Sequence, residues 1–273
     1  MGNTYTERET MLAAMISNCR ITDKQIQWAI EYHYDELEKQ GYEVEYDTDY
    51  IPTFREIVLA CETQNPPYDL WFREHEEGDV NNEAKFFEWA KTEDFGNWKI
   101  VGIYDDNVNS GFYGLAIETG EYTTNGVENG VIFSARGTEP TTIDQICLDL
   151  VQTDLDIINS DLTEQEKVMY DFLDNEFAAL LEEKGYSNLA TTGHSLGGYL
   201  SLSGAAHMVF KGGYASQIFM QGTNIDGPGV TEENLADPVN QAIYAEINDR
   251  LTHYHYTYVG SILTPICDNH IVS

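Results

Sequence analysis

The sequence predicts an α/β fold, in which a mostly parallel central sheet has helices on both faces and follows a helical region. Residues 1–95 carry apolar residues at helical spacing, whereas short buried strands alternate with longer helical stretches after residue 130. Such alternation favours a parallel sheet with helices on both faces. The 273 residues are 42% hydrophobic, which is enough for a substantial core. We therefore expect a helical N-terminal region over residues 1–95, packed on or capping an α/β domain over residues 96–273.

The N-terminal region is predicted to contain four helices. The first carries its apolar residues at helical spacing between Met11 and Ile16. Thr22 and Gln25 form a capping box that starts the second, and Gly41 ends it. Pro52-Thr53 starts the third, and the fourth runs from about Glu83 to Ala90.

Strand patterns begin after Trp98, and the turn-forming segment Asp105–Gly111 makes the first two strands a hairpin. Helical patterns cover residues 143–158 and 164–181 and follow Ser195. The predicted strands are Lys99–Tyr104, Phe112–Ile117, Val131–Ala135, Tyr186–Thr192, Gln217–Gly222 and Tyr254–Val259.

The charge balance excludes several classes of partner. There are 14 Lys and Arg against 47 Asp and Glu, a net charge of −33. Nucleic-acid binding is disfavoured because phosphate recognition requires a basic surface, and stable docking on an anionic membrane is disfavoured for the same reason. Transient contact with a lipid interface stays open, as do solubility, salt adaptation and a cationic protein partner as reasons for the acidity.

Targeting signals and cysteines give further expectations. No window reaches the ~18 consecutive apolar residues of a membrane span. Glu7, Arg8 and Glu9 stand where a signal peptide has a basic start and an apolar run. We therefore expect a cytoplasmic protein, or one secreted without a cleaved signal peptide. The four cysteines are far apart and contain no Cys-x-x-Cys, so free buried thiols are expected.

The segment Thr191–Gly198 carries the strongest chemical signal. It contains Gly-His-Ser-Leu-Gly-Gly between a predicted buried strand and a helix rich in small residues. Gly-x-Ser-x-Gly in this context is the nucleophile elbow of the α/β-hydrolase fold, which presents the serine at the apex of a sharp turn. Gly193 and Gly197 leave room for that turn to pack. The helix N-terminus that follows Ser195 favours developing negative charge.

A second segment, Ser134–Thr138, follows a buried strand upstream of the elbow. An α/β-hydrolase takes one oxyanion donor from the loop after its third strand and another from the residue after the nucleophile. These donors would be the backbone N–H groups of Thr138 and Leu196. The alternative is a solvent-exposed loop in which Arg136 makes a surface ion pair.

These motifs together resemble the class 3 lipases, most closely their bacterial lipase-like relatives, over about residues 98–270. Four segments carry the resemblance in the expected order: Ser110–Ala116, Phe133–Thr138 (Phe-Arg-Gly-Thr with an insertion before the Arg), Asp144–Leu150 and Gly193–Gly198. The resemblance implies a carboxyl-ester hydrolase acting on lipids, of the triacylglycerol lipase, phospholipase A or related esterase type. It also implies that Asp149 steadies the hydroxyl of Thr138.

A serine nucleophile needs an imidazole base, and this fold places the base after the acid in chain order. His270 is the only histidine after Val259, so it is the candidate base. His253 and His255 alternate along the last predicted strand, and His194 lies inside the elbow; all three are weaker candidates.

The acid is less well defined. Thr257 stands where the resembling family has Asp. Asp226 ends the strand after the elbow helix and is the first candidate, although Asp226-Gly-Pro-Gly is also typical of a tight turn in which the Asp bonds its own backbone. Asp249, Asp268 and the absence of any acid are the alternatives.

The sequence therefore predicts a serine esterase in which Ser195, His270 and Asp226 react and the N–H groups of Thr138 and Leu196 hold the oxyanion. No metal or organic cofactor is expected. Two alternatives remain at this point. One is a binding protein on a catalytically impaired hydrolase scaffold. The other is a phospholipase effector, exported without a cleaved signal, whose N-terminal helical region binds a partner protein.

Overall fold

In the computed structural model of the protein, the chain folds around one mixed β-sheet. The structure describes residues 3–19, 21–70, 80–137, 163–229, 238–255 and 270–272. Seven strands within these residues form the sheet, and they are adjacent in the order in which they occur along the chain. The strands are β1 (Lys99–Asp106), β2 (Phe112–Glu118), β3 (Gly130–Ala135), β4 (Asn188–His194), β5 (Phe219–Ile225), β6 (Leu251–His255) and β7 (His270–Val272). The first three are antiparallel, and β3 to β7 are parallel.

The sequential strand order determines how the sheet is covered. Right-handed crossovers between strands that follow one another in the sheet place their helices on the same face. That face packs against α5 (Glu164–Phe172), α6 (Ala178–Lys184) and α7 (Leu196–Lys211), together with the end of α9 (Pro238–Ile247). A short helix, α8 (Gly213–Ile218), precedes β5. The opposite face receives no crossover helix among these and must be covered by another part of the chain.

The N-terminal region covers that opposite face. Its helices are α1 (Glu7–Ser17), α2 (Asp23–Lys39), α3 (Phe54–Glu62) and α4 (Val80–Thr92). Helix α1 packs on β3 and β4, and its apolar residues share one buried cluster with residues of β2 and β3. The predicted helices are thus confirmed, and the capping box of Thr22 and Gln25 is present. The domain boundary at residue 95 stays a prediction.

Neighbouring residues of the strands alternate between the two faces. In β4, the Thr191 hydroxyl donates to the carbonyl oxygen of Ser201 in α7 at 2.9 Å. The next hydroxyl, that of Thr192, donates to the carbonyl oxygen of Thr10 in α1 at 3.1 Å. The period-2 alternation of a strand therefore joins helices from both layers to the strand that precedes Ser195.

Several predicted boundaries are wrong, and one of these errors concerns β5. The sequence pattern starts this strand at Gln217 and Ile218, but both residues belong to α8. The reason is backbone geometry: Gly212 and Gly213 both have φ of 74°, which ends α7 and starts a new short helix. The helix expected over 164–181 is interrupted by a π-helical turn at Leu173–Phe177.

Other expectations fall partly or wholly outside the described residues. The last predicted strand starts earlier than expected, at Leu251, and residues 256–259 are not among the described ones. The helix predicted over 143–158 also lies outside them. Cys19 and Cys61 are buried free thiols, whereas Cys147 and Cys267 are not described. Within the described ranges, no helix is both long and apolar enough to cross a membrane.

Candidate active site

Ser195 lies at a sharp turn between β4 and α7, as the motif predicts. Its backbone has φ of 56° and ψ of −132°, a region that residues with a side chain rarely occupy and that is strained. Two hydrogen bonds hold this geometry. The Ser195 N–H donates to the carbonyl oxygen of Ile225 at 2.9 Å, and the Ser195 carbonyl oxygen accepts from the N–H of Gly198 at 2.8 Å. The strand–turn–helix context of a nucleophile elbow is therefore present.

The glycines around Ser195 are required by close backbone contacts. A Cβ added to Gly193 would lie under 3.0 Å from the carbonyl oxygen of Gly197. A Cβ added to Gly197 would lie under 3.0 Å from the carbonyl oxygen of Ala135, in β3. A Cβ added to Gly198 would collide with the Asn224 side-chain oxygen. All three positions therefore exclude any residue with a side chain.

The segment after β3 lies directly against the elbow. The register pairs Ala135 of β3 with Gly193 of β4, so both strands end at the same edge of the sheet. A Cβ added to Gly137 would lie 3.2 Å from the Cβ of Ser195. The described part of the predicted oxyanion segment is thus next to Ser195. Thr138 and Asp149 lie outside the described residues.

The first turn of α7 supplies the other predicted oxyanion donor. Leu196 is the first residue of this helix, and the amides at a helix N-terminus have no acceptor within the helix. The N–H of Leu196 therefore has no acceptor within the helix and lies one residue from Ser195. The helix dipole adds partial positive charge at the same place.

Arg136 is buried, so the surface ion pair that the alternative gives to this residue is wrong. Only 3% of its surface is exposed. Its guanidinium group lies over the ring of Tyr113 at 4.4 Å and donates from Nη2 to Oδ1 of Asn107 at 2.8 Å. These contacts attach the loop after β3 to the β1–β2 hairpin, and this arrangement holds the neighbouring residue Gly137 near Ser195.

Asp226 directly follows β5, on the strand next to the elbow strand. It has φ of 51°, and its N–H donates to the carbonyl oxygen of Tyr254 at 2.9 Å. The next residue touches the elbow, because a Cβ on Gly227 would lie under 3.0 Å from the carbonyl oxygen of Ser195. The candidate acid is thus in the turn beside Ser195, at the end of the strand adjacent to the elbow strand.

Asn224 holds the turn that carries Asp226, and sequence reasoning missed it. Its side chain is fully buried. The Asn224 Oδ1 atom accepts from the N–H of Gly227 at 2.9 Å, and its Nδ2 donates to the carbonyl oxygen of Pro228 at 2.8 Å. The available signal was an amide residue near the end of a predicted strand, two residues before Asp-Gly-Pro-Gly.

Asp249 is not brought to the site. It lies in a 3-10 turn immediately before β6, at the amino end of that strand. The elbow is at the carboxyl ends of the parallel strands β4, β5 and β6. Asp249 and Ser195 are therefore at opposite ends of the parallel strands. Asp268, the other alternative, lies outside the described residues.

The backbone of the predicted base lies in the sheet. His270 is the first residue of β7 and pairs in parallel register with His253 of β6. Three strand spacings of about 4.8 Å separate β7 from β4, so this backbone is about 14 Å from the elbow strand. The structure does not bring the His270 backbone next to Ser195, and it does not describe the His270 side chain. The assignment of His270 as the base therefore stays a prediction.

The weaker histidine candidates occupy different environments. His253 is fully buried within β6, at the register position of Asn224 in β5. His194 is exposed at the end of β4, directly before Ser195. Of the two, only His194 is open to solvent at the carboxyl edge of the sheet.

Comparison with known proteins gives similarity of fold. No family model matches the chain, and no curated protein matches it in sequence. A triacylglycerol lipase from Penicillium expansum is 15% identical, with a TM-score of 0.41, over 64% of this chain and 70% of that one. Lipase II from Rhizopus niveus is 13% identical, with a TM-score of 0.41, over 66% and 64%. Lip2 lipase from Yarrowia lipolytica is 13% identical, with a TM-score of 0.40, over 65% and 66%. These matches carry no argument about chemistry, which must come from this chain's own residues.

Proposed function

We propose that the protein is a serine carboxyl-ester hydrolase of lipase type, with Ser195 as its nucleophile. The observation that carries this proposal is the strained backbone of Ser195 (φ 56°, ψ −132°) at the junction of a parallel strand and a helix N-terminus. Strain of this kind persists only where surrounding contacts enforce it, and here glycine-specific contacts on three sides do so. A turn that served only to connect β4 to α7 would not need it.

The proposed reaction proceeds through an acyl-enzyme. The Ser195 hydroxyl oxygen attacks the ester carbonyl carbon while the imidazole of His270 takes the hydroxyl proton. The N–H groups of Leu196 and Thr138 donate to the oxyanion that forms. The imidazolium then protonates the leaving alcohol. Water, deprotonated by the same imidazole, releases the carboxylic acid and regenerates the serine.

Asp226 is the proposed acid. Its position beside the elbow supports this role, because a carboxylate there can orient the imidazole and stabilise its positive charge. For it to act, the imidazole must lie between Asp226 and Ser195 during the reaction. The His270 backbone lies in β7, three strands away from β4. The imidazole must therefore cross this distance to reach Ser195 at the carboxyl end of β4.

That distance favours a second candidate function, a binding protein on a catalytically impaired hydrolase scaffold. In that case Ser195 has the geometry of a nucleophile without a base in reach. Both candidates share the elbow and differ in whether Ser195 reacts. The strained elbow favours the hydrolase, because a scaffold that no longer reacts has no need to maintain the strain at Ser195.

The proposal is tested by ester hydrolysis. Purified protein is assayed with p-nitrophenyl butyrate, p-nitrophenyl palmitate and a phosphatidylcholine–detergent micelle, beside Ser195→Ala and the exposed-serine control Ser187→Ala. We expect wild type and Ser187→Ala to hydrolyse at least one ester and Ser195→Ala to lose about 10³-fold or more in kcat. Hydrolysis that survives in Ser195→Ala, or none in wild type with any ester, would contradict the proposal.

A further inference from the structure

A ladder of polar side chains crosses the otherwise apolar contact between α5 and α7. Residues four apart lie on the same side of a helix, and both helices place polar side chains at this spacing. The polar ladder consists of Tyr199, Ser203, His207 and Lys211 on α7, facing Glu166 and Tyr170 on α5 and Asp174 in the π-helical turn. Tyr199 is four residues after Ser195. The ladder therefore starts one helical turn from the nucleophile.

Glu166 forms the buried end of the ladder, with only 2% of its surface exposed. Its Oε1 accepts from the Tyr199 hydroxyl at 3.0 Å and from the Ser203 hydroxyl at 2.6 Å. Its Oε2 accepts from the backbone N–H of Thr163 at 3.0 Å, within the capping box of α5. These three partners donate to Glu166, which is the pattern of an ionised carboxylate, and the N-terminus of α5 stabilises that charge.

The ladder continues toward the surface without a break. The Tyr170 and Ser203 hydroxyls are 2.5 Å apart. The Tyr170 ring stacks on His207, with centroids 4.0 Å apart. Asp174 accepts from His207 and from Lys211, both at 2.8 Å. Burial, together with the Glu166 carboxylate, raises the pKa of Tyr170 and Tyr199, so both hydroxyls keep their protons and remain donors.

The polar ladder and the apolar contacts constrain α7 differently. Apolar side chains such as Met169 and Leu173, which pack beside Gly204, make contacts that have no directional requirement. Hydrogen bonds to a buried carboxylate are lost by such a shift, and an unsatisfied buried carboxylate is costly. The rise per residue of a helix is only ~1.5 Å, so a slip of one residue would break the contacts of Glu166.

We propose that Glu166 and Tyr199 are positioning residues, which fix the axial position of α7 and through it the nucleophile and the Leu196 N–H. This inference rests on the proposed function. An oxyanion donor must lie within a few tenths of an ångström of its optimum, so a small displacement of the first turn of α7 slows the reaction without preventing folding. Tyr199 gives the shortest connection between Glu166 and Ser195, because it bonds to Glu166 and lies one helical turn after Ser195.

The test compares two hydroxyl deletions in the same ladder. Tyr199→Phe removes the bond nearest the nucleophile, and Tyr170→Phe removes a bond on the other helix, farther from it. A fluorophosphonate inactivation assay at several probe concentrations gives two quantities, the maximal rate constant of inactivation and the probe concentration at half-saturation. We expect Tyr199→Phe to lower the rate constant about ten-fold, with half-saturation within about two-fold. Tyr170→Phe should keep the rate constant within about two-fold, at a similar loss of thermal stability.

Glu166→Gln supplies a second route to the same result. One amide oxygen cannot replace both carboxylate oxygens, which accept from Thr163 on one side and from Tyr199 and Ser203 on the other. We therefore expect Glu166→Gln to lower the rate constant about as much as Tyr199→Phe, and the double variant to lose little more, because both changes act on the same Tyr199–Glu166 hydrogen bond. A wild-type rate constant in Tyr199→Phe would overturn the proposal. So would equal losses in Tyr199→Phe and Tyr170→Phe, since they would reflect general destabilisation.

A second readout does not depend on reactivity. Amide exchange measured by NMR follows the Ser195 N–H, which donates to Ile225, and the Gly198 N–H, which donates to Ser195. We expect both to exchange about ten-fold faster in Tyr199→Phe and unchanged in Tyr170→Phe. Unchanged exchange in both variants overturns the positioning proposal. An unreactive wild type that shows the expected exchange contradicts only the proposed function.

Discussion

Two adjacent strands, β4 and β5, are each followed by a residue with positive φ, but the chain continues differently after each of them. Strand β4 ends at Ser195 with φ of 56°, and β5 ends at Asp226 with φ of 51°. Within two residues, each end is followed by a glycine that has no room for a side chain, Gly197 in the first case and Gly227 in the second. After Ser195 the chain enters α7, whereas after Asp226 it turns through Gly-Pro-Gly.

The difference lies in what enforces each geometry. Ser195 is held mainly by backbone contacts, from Ile225, Gly198 and the neighbouring glycines. The turn at Asp226 is held by the buried side chain of Asn224. Serine is also much less tolerant of positive φ than Asp or Asn, and Ser195 combines its positive φ with ψ of −132°, so we expect more strain at Ser195. The β4 end is thus a specialised turn, and the β5 end is a turn that Asp tolerates well.

The largest expected effect concerns the chemical role of the β5 end. Asp226→Asn keeps the shape of the side chain but removes the charge that orients an imidazole. We expect turnover to fall about 10³- to 10⁴-fold, because the neutral amide favours the wrong tautomer. Thermal stability should change by only about 2 °C, since this position tolerates Asn as well as Asp. Ester hydrolysis and thermal unfolding measure the two effects.

Asp249→Asn is the matched control, because this Asp lies at the amino end of β6. It should keep wild-type turnover. Full activity in Asp226→Asn would remove this residue from the mechanism and leave the β5 end as a structural turn only.

The second effect concerns the backbone contacts of the β4 end. Gly197→Ala places a Cβ against the backbone of Ala135 and Gly137, which cannot move without disturbing β3 and the loop after it. We expect a loss of about 3 kcal/mol in the free energy of unfolding, together with loss of reactivity at Ser195. Urea unfolding measures the first and fluorophosphonate labelling the second.

Gly185→Ala separates steric contact from backbone strain. Gly185 has φ of 65° and no heavy atom within 4 Å of an added Cβ. It should cost only about 1 kcal/mol, with no effect on labelling. If Gly197→Ala cost no more than Gly185→Ala, the close packing of the elbow would not be what holds it.

The third effect concerns the side chain that holds the β5 end. Asn224→Ala removes two hydrogen bonds and leaves the buried N–H of Gly227 without its acceptor. We expect the free energy of unfolding to fall by about 2 kcal/mol. Reactivity of Ser195 should fall as well, because Gly227 touches its carbonyl oxygen.

Asn175→Ala, at an exposed position of the π-helical turn, serves as the control and should change stability by about 0.5 kcal/mol or less. A stability loss in Asn224→Ala with fully retained reactivity would show that the two strand ends are independent.

The smallest effect measures the strain at Ser195 itself. Ser195→Gly relieves the strained backbone, whereas Ser195→Ala retains it. We expect Ser195→Gly to be more stable than Ser195→Ala by about 1 kcal/mol, although both are inactive. Thermal and urea unfolding of the two variants measure the difference. Equal stability, or a more stable alanine variant, would mean that no strain is stored there.

The sequence reveals the β4 end far better than the β5 end, for physical reasons. The elbow is specified by glycines within five residues of Ser195, so its constraint is local and visible in the sequence. Asn224 also acts locally, through Gly227 and Pro228, but no recognised sequence motif marks that turn. Glu166 acts through Tyr199 and Ser203, which only the folded helices bring near. Strand β7 has three residues, too few for a periodicity, and α8 replaces the start of an expected strand because two consecutive glycines restart the helix.

The strand order is also left open by the sequence. The alternation of strands and helices predicts a parallel sheet, but not that β3 to β7 lie side by side in chain order. That order places His270 at the edge farthest from the β1–β2 hairpin and gives α1 the opposite face of the sheet. The roles of Asp226 and His270 depend on it, and no local pattern encodes it.

The central claim is that Ser195 is an activated nucleophile, and intact-mass spectrometry after exposure to a fluorophosphonate tests it most directly. We predict one covalent adduct on wild type and none on Ser195→Ala, with a labelling rate that rises with pH as the base loses its proton. Folded wild-type protein that forms no adduct, or an adduct that persists in Ser195→Ala, would contradict the claim and favour a binding protein on a hydrolase scaffold.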